Sequence, residues 1–213
     1  MKRISKVKIC GITNLEDALQ AVECGADELG FNFYSSSQRY ISPEKAGEII
    51  ARLPASAKSV GVFVNEPVES LLEIIQFADI NMIQLHGDER ITYITEVREK
   101  NRLPIIKAFR VDPTFSVDDA LSWPIDFALF DTHSSQNYGG TGETFDWEHF
   151  GAEICLLFPK SAYLAGGLRP ENVAEAIQTV RPYAVDVASG VESSPGKKDP
   201  NKVEEFIRNA KNA

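Results

Sequence analysis

The stretch Lys8-Ile9-Cys10-Gly11-Ile12-Thr13 decides the fold of this chain. It ends an apolar strand at Cys10, turns within three residues and leads into Asn14, a residue type that commonly caps a helix. The turn lacks the G-x-G-x-x-G pattern of a dinucleotide-binding sheet, so this first unit does not favour an open nucleotide-binding fold. The same succession of strand, loop and helix then repeats along the chain.

Eight short apolar segments are typical of parallel strands that are covered on both faces. They lie at residues 6–10, 28–33, 59–64, 82–85, 105–109, 127–131, 162–165 and 184–187. Capping residues and first-turn prolines indicate helix starts between them, at Asn14, Ser42-Pro43, Glu66-Pro67, Asp88, Arg169-Pro170 and Asp199-Pro200. Weaker helical signals lie at residues 117–122 and 146–158.

This pattern predicts an α/β protein, a single-domain (βα)8 TIM barrel that spans residues 1–213 with eight parallel strands surrounded by helices. An open doubly wound sheet is the competing architecture. The loop at residues 133–144 contains Gly139-Gly140-Thr141-Gly142 and is long for so short a barrel. Its length indicates a functional loop, such as a lid.

The composition narrows the function. The 213 residues carry a formal net charge of −9 and no basic stripe, so nucleic acid is not an expected partner. No apolar stretch is long enough for a membrane span, and Lys6 and Lys8 interrupt any signal-peptide core. The cysteines, Cys10, Cys24 and Cys155, are odd in number and lack metal-ligand spacing. We therefore expect reduced thiols in the cytoplasm and no metal, with Cys24 and Cys155 as small core residues.

Two residues that can do chemistry end predicted strands. Cys10 ends the first strand and Asp131 ends the sixth, and the C-terminal strand ends of a barrel form its active-site mouth. Lys8 shares the face of Cys10, because side chains alternate along a strand. Its ammonium either favours the thiolate or pairs with Asp186.

Two loops of small residues follow the seventh and eighth strands. They are Gly166-Gly167 and Ser189-Gly190, at the position where barrels often bind phosphate. We expect residues 190–194 to form a short extra helix that completes such a site. These loops predict a small phosphorylated substrate.

Arg39 and His86 follow the second and fourth strands. Arginine suits a substrate carboxylate through its planar fork, although a surface arginine is an equal alternative. For His86 we favour a structural hydrogen bond to its own loop over a place in the mouth.

Several motifs resemble those of the phosphoribosylanthranilate isomerase family of tryptophan biosynthesis. They run nearly from end to end: Lys8-Ile9-Cys10-Gly11-Ile12-Thr13, Ser37-Gln38-Arg39-Tyr40-Ile41, Gly61-Val62-Phe63-Val64-Asn65, Gln84-Leu85-His86-Gly87-Asp88-Glu89, Gly139-Gly140-Thr141-Gly142, Phe145-Asp146-Trp147, Ala165-Gly166-Gly167-Leu168 and Asp186-Val187-Ala188-Ser189-Gly190-Val191-Glu192. The first and last motifs are specific in combination.

The resemblance implies an Amadori rearrangement of N-(5-phosphoribosyl)anthranilate to 1-(2-carboxyphenylamino)-1-deoxyribulose 5-phosphate, with no cofactor or metal. It implies that Asp131 is the general acid that opens the sugar ring and that Cys10 is the general base that removes the C2′ proton. It also implies that Arg39 binds the anthranilate carboxylate and that Asp186 contacts the substrate near the reacting sugar.

The same resemblance implies that Gly166, Gly167, Ser189 and Gly190 bind the phosphate. Members of this family occur as monomers and as dimers, so a monomer or a homodimer is expected.

An acid–base pair of this kind needs shifted pKa values. A free thiol has a pKa of about 8.5 and an aspartic acid one of about 3.9, so each is in the wrong state at neutral pH. We expect apolar surroundings to keep Asp131 protonated and nearby positive charge to ionise Cys10.

Two rivals remain at this point. An isomerase of the histidine pathway performs the same chemistry with two aspartates, one of them where this chain has Cys10, and shows a second phosphate loop that we do not find. A non-catalytic barrel that binds a phosphorylated metabolite needs Gly166 and Gly190 but not both Cys10 and Asp131.

Overall fold

The eight strands form a closed parallel barrel. The computed structural model describes residues 5–111, 115–132 and 147–213. Its strands pair in sequence order, and β1 pairs with both β2 and β8, which closes the sheet. They are β1 Lys6–Cys10, β2 Glu28–Asn32, β3 Lys58–Phe63, β4 Met82–Leu85, β5 Ile105–Val111, β6 Phe127–Thr132, β7 Ala162–Leu164 and β8 Ala184–Val187. The predicted barrel is confirmed, and the open sheet is excluded.

Helices connect the strands on the outside of the barrel. They are α1 Leu15–Glu23, α2 Pro43–Ile50, α3 Val68–Phe77, α4 Ile91–Lys100, α5 Trp147–Leu157, α6 Val173–Val180 and α7 Pro200–Asn212, with a 3-10 helix at Val117–Ser122 after β5. No helix in the described part of the chain is long and apolar enough to cross a membrane.

The predicted helix starts are confirmed where a side chain caps the first turn. Asn14, Ser42 and Asp199 each accept a backbone N–H of the helix that follows. Two predicted starts are wrong by a few residues. The fourth helix begins at Ile91 rather than at Asp88, and the sixth begins at Val173 rather than at Arg169-Pro170, because the preceding residues form loops at the barrel mouth.

The segment after β8 differs from the expectation. A 3-10 turn at Ser189–Val191 is followed by a small hairpin of β9 Glu192–Ser194 and β10 Lys197–Lys198, not by a helix over residues 190–194. The hairpin forms because Gly196, with φ at 78°, supplies its turn and donates its N–H to the buried carboxylate of Glu192.

Side chains fill the barrel interior in its middle and at its N-terminal end. An inner layer of side chains from alternate strand positions occupies its middle: Val60, Met82, Ile106, Ala108, Leu129, Tyr163, Ala165 and Ala184. At the N-terminal end the rings of Phe127 and Tyr183 lie with centroids 5.0 Å apart, and the Tyr163 hydroxyl donates to buried Glu28 at 2.8 Å. Because these groups close the N-terminal end, only the C-terminal end offers an open mouth within the described structure.

Candidate active site

A cavity of about 730 Å³ opens at the C-terminal ends of the strands. All eight predicted site residues line it: Cys10, Arg39, Asp131, Gly166, Gly167, Asp186, Ser189 and Gly190. The barrel brings them together because parallel strands all deliver their C-terminal ends to one face. Residues that are more than 170 positions apart in the sequence therefore lie next to one another.

Cys10 has room because its neighbour across the sheet is a glycine. Cys10 lies opposite Gly30 of β2, and a Cβ added at Gly30 would lie 2.7 Å from the Cys10 sulfur. A larger residue there would displace the thiol from the cavity wall. Thus Gly30 is part of how the fold presents Cys10.

The charge around Cys10 is arranged differently from the expectation. Lys8 is fully buried, and its Nζ donates to Asp186 Oδ1 at 2.9 Å, so the alternative of a Lys8–Asp186 pair is correct. Burial raises the pKa of the Cys10 thiol, and the opposing pull of Lys8 and Lys198 does not outweigh it. Asp186 adds to the increase. The prediction that nearby positive charge ionises the thiol is therefore wrong.

Lys8 remains an ammonium. Burial lowers its pKa, but attraction led by the Asp186 carboxylate outweighs burial and raises the pKa above its usual value. The interior of the barrel thus holds a fixed positive charge beneath the cavity, already neutralised by Asp186.

Asp131 faces a histidine. The Nε2 atom of His86 lies 3.3 Å from Asp131 Oδ2, and the His86 Nδ1 atom is 2.9 Å from Gln84 Nε2. The neighbour of Asp131 is polar, in contrast to the apolar surroundings expected. His86 lines the cavity, so the favoured interpretation, a hydrogen bond to its own loop, is wrong for its ring.

Gln84 lines the cavity beside His86. Its side chain is 1% exposed, and its Oε1 atom is buried without a hydrogen-bond partner among the described residues. A buried acceptor of this kind is costly unless it is satisfied.

Arg39 is fixed by a buried carboxylate. Its Nε and Nη2 atoms donate to the two oxygens of Glu192, at 2.9 Å and 2.7 Å. Gly11, with φ at 79°, makes room for this arrangement, because a Cβ there would lie 2.7 Å from Arg39 Cδ. Arg39 is therefore a positioned member of the cavity wall rather than a loose surface residue.

Lys198 lies beneath this pair. Its Nζ atom donates to Glu192 Oε1 at 3.0 Å and also to the carbonyl oxygens of Cys10 and Ala188. It ties the end of β1 to the loop after β8. Burial would raise the pKa of Glu192, but Arg39 and Lys198 lower it below its usual value, so Glu192 is a carboxylate.

The glycine loop after β7 has a backbone conformation that only glycine adopts easily. Gly166 and Gly167 have φ values of 80° and 64°. A Cβ added at Gly190 would lie 1.9 Å from the carbonyl oxygen of Leu168, so the loops after β7 and β8 touch through backbone atoms. Asn172 holds the first loop by donating to the Gly167 carbonyl at 3.0 Å.

Sequence reasoning missed the support around these residues. Glu192 and Lys198 carried no role in the prediction, although both are buried and Glu192 lines the cavity. The signal that could have indicated their role is that both are charged residues on either side of a glycine turn. The predicted lid at residues 133–144 lies outside the described residues. Among the described residues, no group of three His, Cys, Asp or Glu side chains is arranged to hold a metal ion.

A parallel barrel whose mouth combines a thiol, a carboxylate, an arginine and paired glycine loops defines a class: barrel enzymes that act on small anionic molecules by acid–base chemistry. Comparison with known proteins makes this specific. The family model described as N-(5'phosphoribosyl)anthranilate (PRA) isomerase matches residues 7–209. This chain belongs to that family of isomerases. The N-(5'-phosphoribosyl)anthranilate isomerase of Trichlorobacter lovleyi is 50% identical to it over 208 residues, which are 98% of each chain.

Solved structures agree with this assignment. Mutually generated monomers of the dimeric phosphoribosylanthranilate isomerase of Thermotoga maritima match with a TM-score of 0.86 at 45% identity, covering 99% of this chain and 100% of that one. A phosphoribosyl anthranilate isomerase in complex with reduced 1-(o-carboxyphenylamino)-1-deoxyribulose 5-phosphate matches with a TM-score of 0.86 at 44% identity and the same coverage. The family assignment excludes the histidine-pathway rival.

Proposed function

We propose that the cavity converts N-(5'-phosphoribosyl)anthranilate into 1-(2-carboxyphenylamino)-1-deoxyribulose 5-phosphate, with Asp131 as the general acid and Cys10 as the general base. The observation that carries this proposal is that a thiol and a carboxylate from strands β1 and β6 face one cavity together with glycine loops and an arginine. The related enzyme that binds the reduced product supports the choice of ligand.

The reaction needs two proton transfers by the protein. Asp131 donates a proton to the furanose oxygen as the C1′–O bond breaks, and the nitrogen lone pair forms a C1′=N bond. The Cys10 thiolate then removes the C2′ proton, and the C–H electron pair forms a C1′=C2′ bond while the C=N electrons return to nitrogen. The enolamine gains a proton at C1′ and loses the proton of its C2′ hydroxyl. C2′ is thereby oxidised and C1′ reduced within one molecule.

The raised pKa of Cys10 has a consequence for this mechanism. At neutral pH the resting enzyme carries a thiol, so the base step requires the small thiolate fraction, which is a correspondingly stronger base. We assign Asp186, which pairs with Lys8 and lines the cavity together with Cys10, to a contact with the sugar near C2′.

The two ends of the substrate are anionic. We assign the anthranilate carboxylate to Arg39. Its Nε and Nη2 atoms bind Glu192, so its Nη1 atom is the one that we assign to the substrate. We assign the phosphate to the backbone amides of Gly166, Gly167, Ser189 and Gly190.

The proposal also covers the domain organisation, the cellular location and the oligomeric state of the enzyme. We propose one domain over residues 1–213, acting in the cytoplasm as a monomer or homodimer. The three cysteines are free thiols, and the Thermotoga maritima relative is described as dimeric. Light scattering after size-exclusion chromatography distinguishes the two oligomeric states.

Complementation tests the function. A tryptophan auxotroph that lacks this isomerase should grow when it expresses the chain, with histidine supplied throughout. The Cys10→Ser and Asp131→Asn variants should not restore growth at equal expression. A chain that binds the reduced product but never restores growth would be a binding protein, and the proposal would then be wrong.

A further inference from the structure

A buried ion pair lies behind the cavity wall. Glu89 and Lys107 are 5% and 3% exposed, and Lys107 Nζ lies 2.7 Å from Glu89 Oε2. Neither side chain lines the cavity. Both carry polar groups that the proposed proton transfers leave unused.

The pair binds the backbone on both sides of His86. The Glu89 carboxylate accepts the Gly87 N–H at 3.0 Å, and Lys107 donates to the Gly87 carbonyl at 2.7 Å and to the Leu85 carbonyl at 3.5 Å. His86 itself donates its backbone N–H to the Phe63 carbonyl at 2.8 Å. The backbone that carries the His86 ring is therefore held before, at and after that residue.

A third loop joins the same carboxylate. Glu89 Oε1 accepts the N–H of Asn65 at 2.9 Å, and Asn65 Oδ1 accepts the N–H of Asp88 at 2.8 Å. Gly87 fills the centre of this arrangement, because a Cβ there would lie 2.6 Å from Asn65 Oδ1 and 2.7 Å from Glu89 Oε1. One carboxylate thus links the loops after β3 and β4 to strand β5.

We propose that Glu89, together with Lys107, is a positioning residue that holds the His86 ring against Asp131 and so keeps the acid aimed at the sugar ring oxygen. The inference rests on the proposed role of Asp131. It follows from the chain of contacts from Glu89 through Gly87 to His86, whose Nε2 atom lies 3.3 Å from Asp131 Oδ2. The alternative is a purely structural ion pair that stabilises the barrel wall.

Stability alone does not require this pair. A buried ion pair loses hydration that its attraction only partly returns, and apolar side chains of similar volume often serve as well. A hydrogen-bonded ion pair does fix the geometry of the groups around it, because its carboxylate oxygens and ammonium protons form hydrogen bonds in defined directions. Geometry matters for an acid, because a displacement of about 1 Å can reduce turnover about 10²-fold.

The test is a double-mutant cycle between Glu89 and His86. Glu89→Gln keeps the shape but removes the charge, and we expect kcat to fall roughly 10- to 100-fold while KM changes less than about twofold. In a His86→Ala background the same substitution should change kcat less than about twofold, because the ring that Glu89 positions is gone. If Glu89→Gln does not fold, Lys107→Arg replaces it and should show the same dependence on His86.

A matched control lies at the other end of the barrel. Asp27 likewise accepts a strand amide, that of Val7, and pairs with Lys211. Asp27→Asn should lower the melting temperature and leave kcat unchanged. Equal losses of kcat from Glu89→Gln with and without His86, or no loss at all, would overturn the positioning role. An active Asp131→Asn variant, measured in the same series, would instead refute the proposed function.

Discussion

The Lys8 ammonium lies 2.9 Å from the Asp186 carboxylate inside the barrel, two residues before Cys10 on the same face of β1. Because Asp186 shares this positive charge, Lys8 pulls less strongly on the thiol than an unpaired lysine would. Burial then dominates and raises the pKa of Cys10. The pair thus controls how much thiolate the resting enzyme holds.

Alkylation of Cys10 measures this control. Only the thiolate reacts with iodoacetamide, so the rate should rise with pH and reach half its maximum above the ordinary thiol pKa of about 8.5. Asp186→Asn removes a charge that disfavours the thiolate and should lower the midpoint, whereas Lys8→Met should raise it. Peptide mapping of labelled Cys10, with Cys24 as the internal reference, gives the rates. Shifts of the opposite sign would show that this pair does not set the thiol charge.

Gly190→Ala should impair phosphate binding. The added methyl would lie 1.9 Å from the Leu168 carbonyl oxygen, so the two glycine loops must separate. We expect KM to rise at least tenfold, equivalent to about 1.4 kcal/mol of lost binding. Gly47→Ala in helix α2 is the matched control, because its methyl would meet its nearest neighbour at an ordinary 3.5 Å. Unchanged KM in Gly190→Ala would place the phosphate elsewhere.

Arg39→Ala should weaken substrate binding more than it slows turnover. The proposed contact with the anthranilate carboxylate is remote from C2′ and acts equally in the ground and transition states, so KM should rise while kcat changes little. Glu192→Gln should give a smaller rise in KM, because it loosens the fork without removing it. Steady-state kinetics of both variants test the assignment. Wild-type KM in Arg39→Ala would reduce Arg39 to a structural partner of Glu192.

Asp131→Asn should abolish most turnover. An amide has no acidic proton for the ring oxygen, and loss of a general acid typically costs about 10²–10⁴ in rate. Affinity for the reduced product should stay near that of the wild type, because the amide keeps the size of the carboxylate. Calorimetry with that product and initial-rate measurements separate the two effects. Near-normal kcat would remove Asp131 from the mechanism.

The sequence predicted the barrel because its signals are local and repeated. Eight apolar segments and the capping residues Asn14, Ser42 and Asp199 each report on a few neighbouring residues. The hairpin after β8 escaped prediction because it depends on the buried Glu192 carboxylate meeting Gly196, Arg39 and Lys198. Such partners come from distant parts of the chain.

The site residues likewise fall into those that the sequence predicts and those that it does not. Cys10 and Asp131 were predictable as strand ends, because barrel topology alone brings them to one mouth. The direction of the pKa shift at Cys10 was not predictable, because it depends on the balance between burial and the charge of a lysine that Asp186 already neutralises. The contact between His86 and Asp131 joins strands β4 and β6, which are not neighbours in the sheet, so no sequence spacing reports it.

The most direct test of the central claim is kcat of Cys10→Ser at saturating substrate. A hydroxyl is a far weaker base than a thiolate, so kcat should fall by about 10²–10⁴, with unchanged affinity for the reduced product. Cys155→Ser, which changes a free thiol of α5 outside the cavity, should retain wild-type kcat. Cys10→Ser with near-wild-type kcat would contradict the account and leave Asp131 as the single catalytic group.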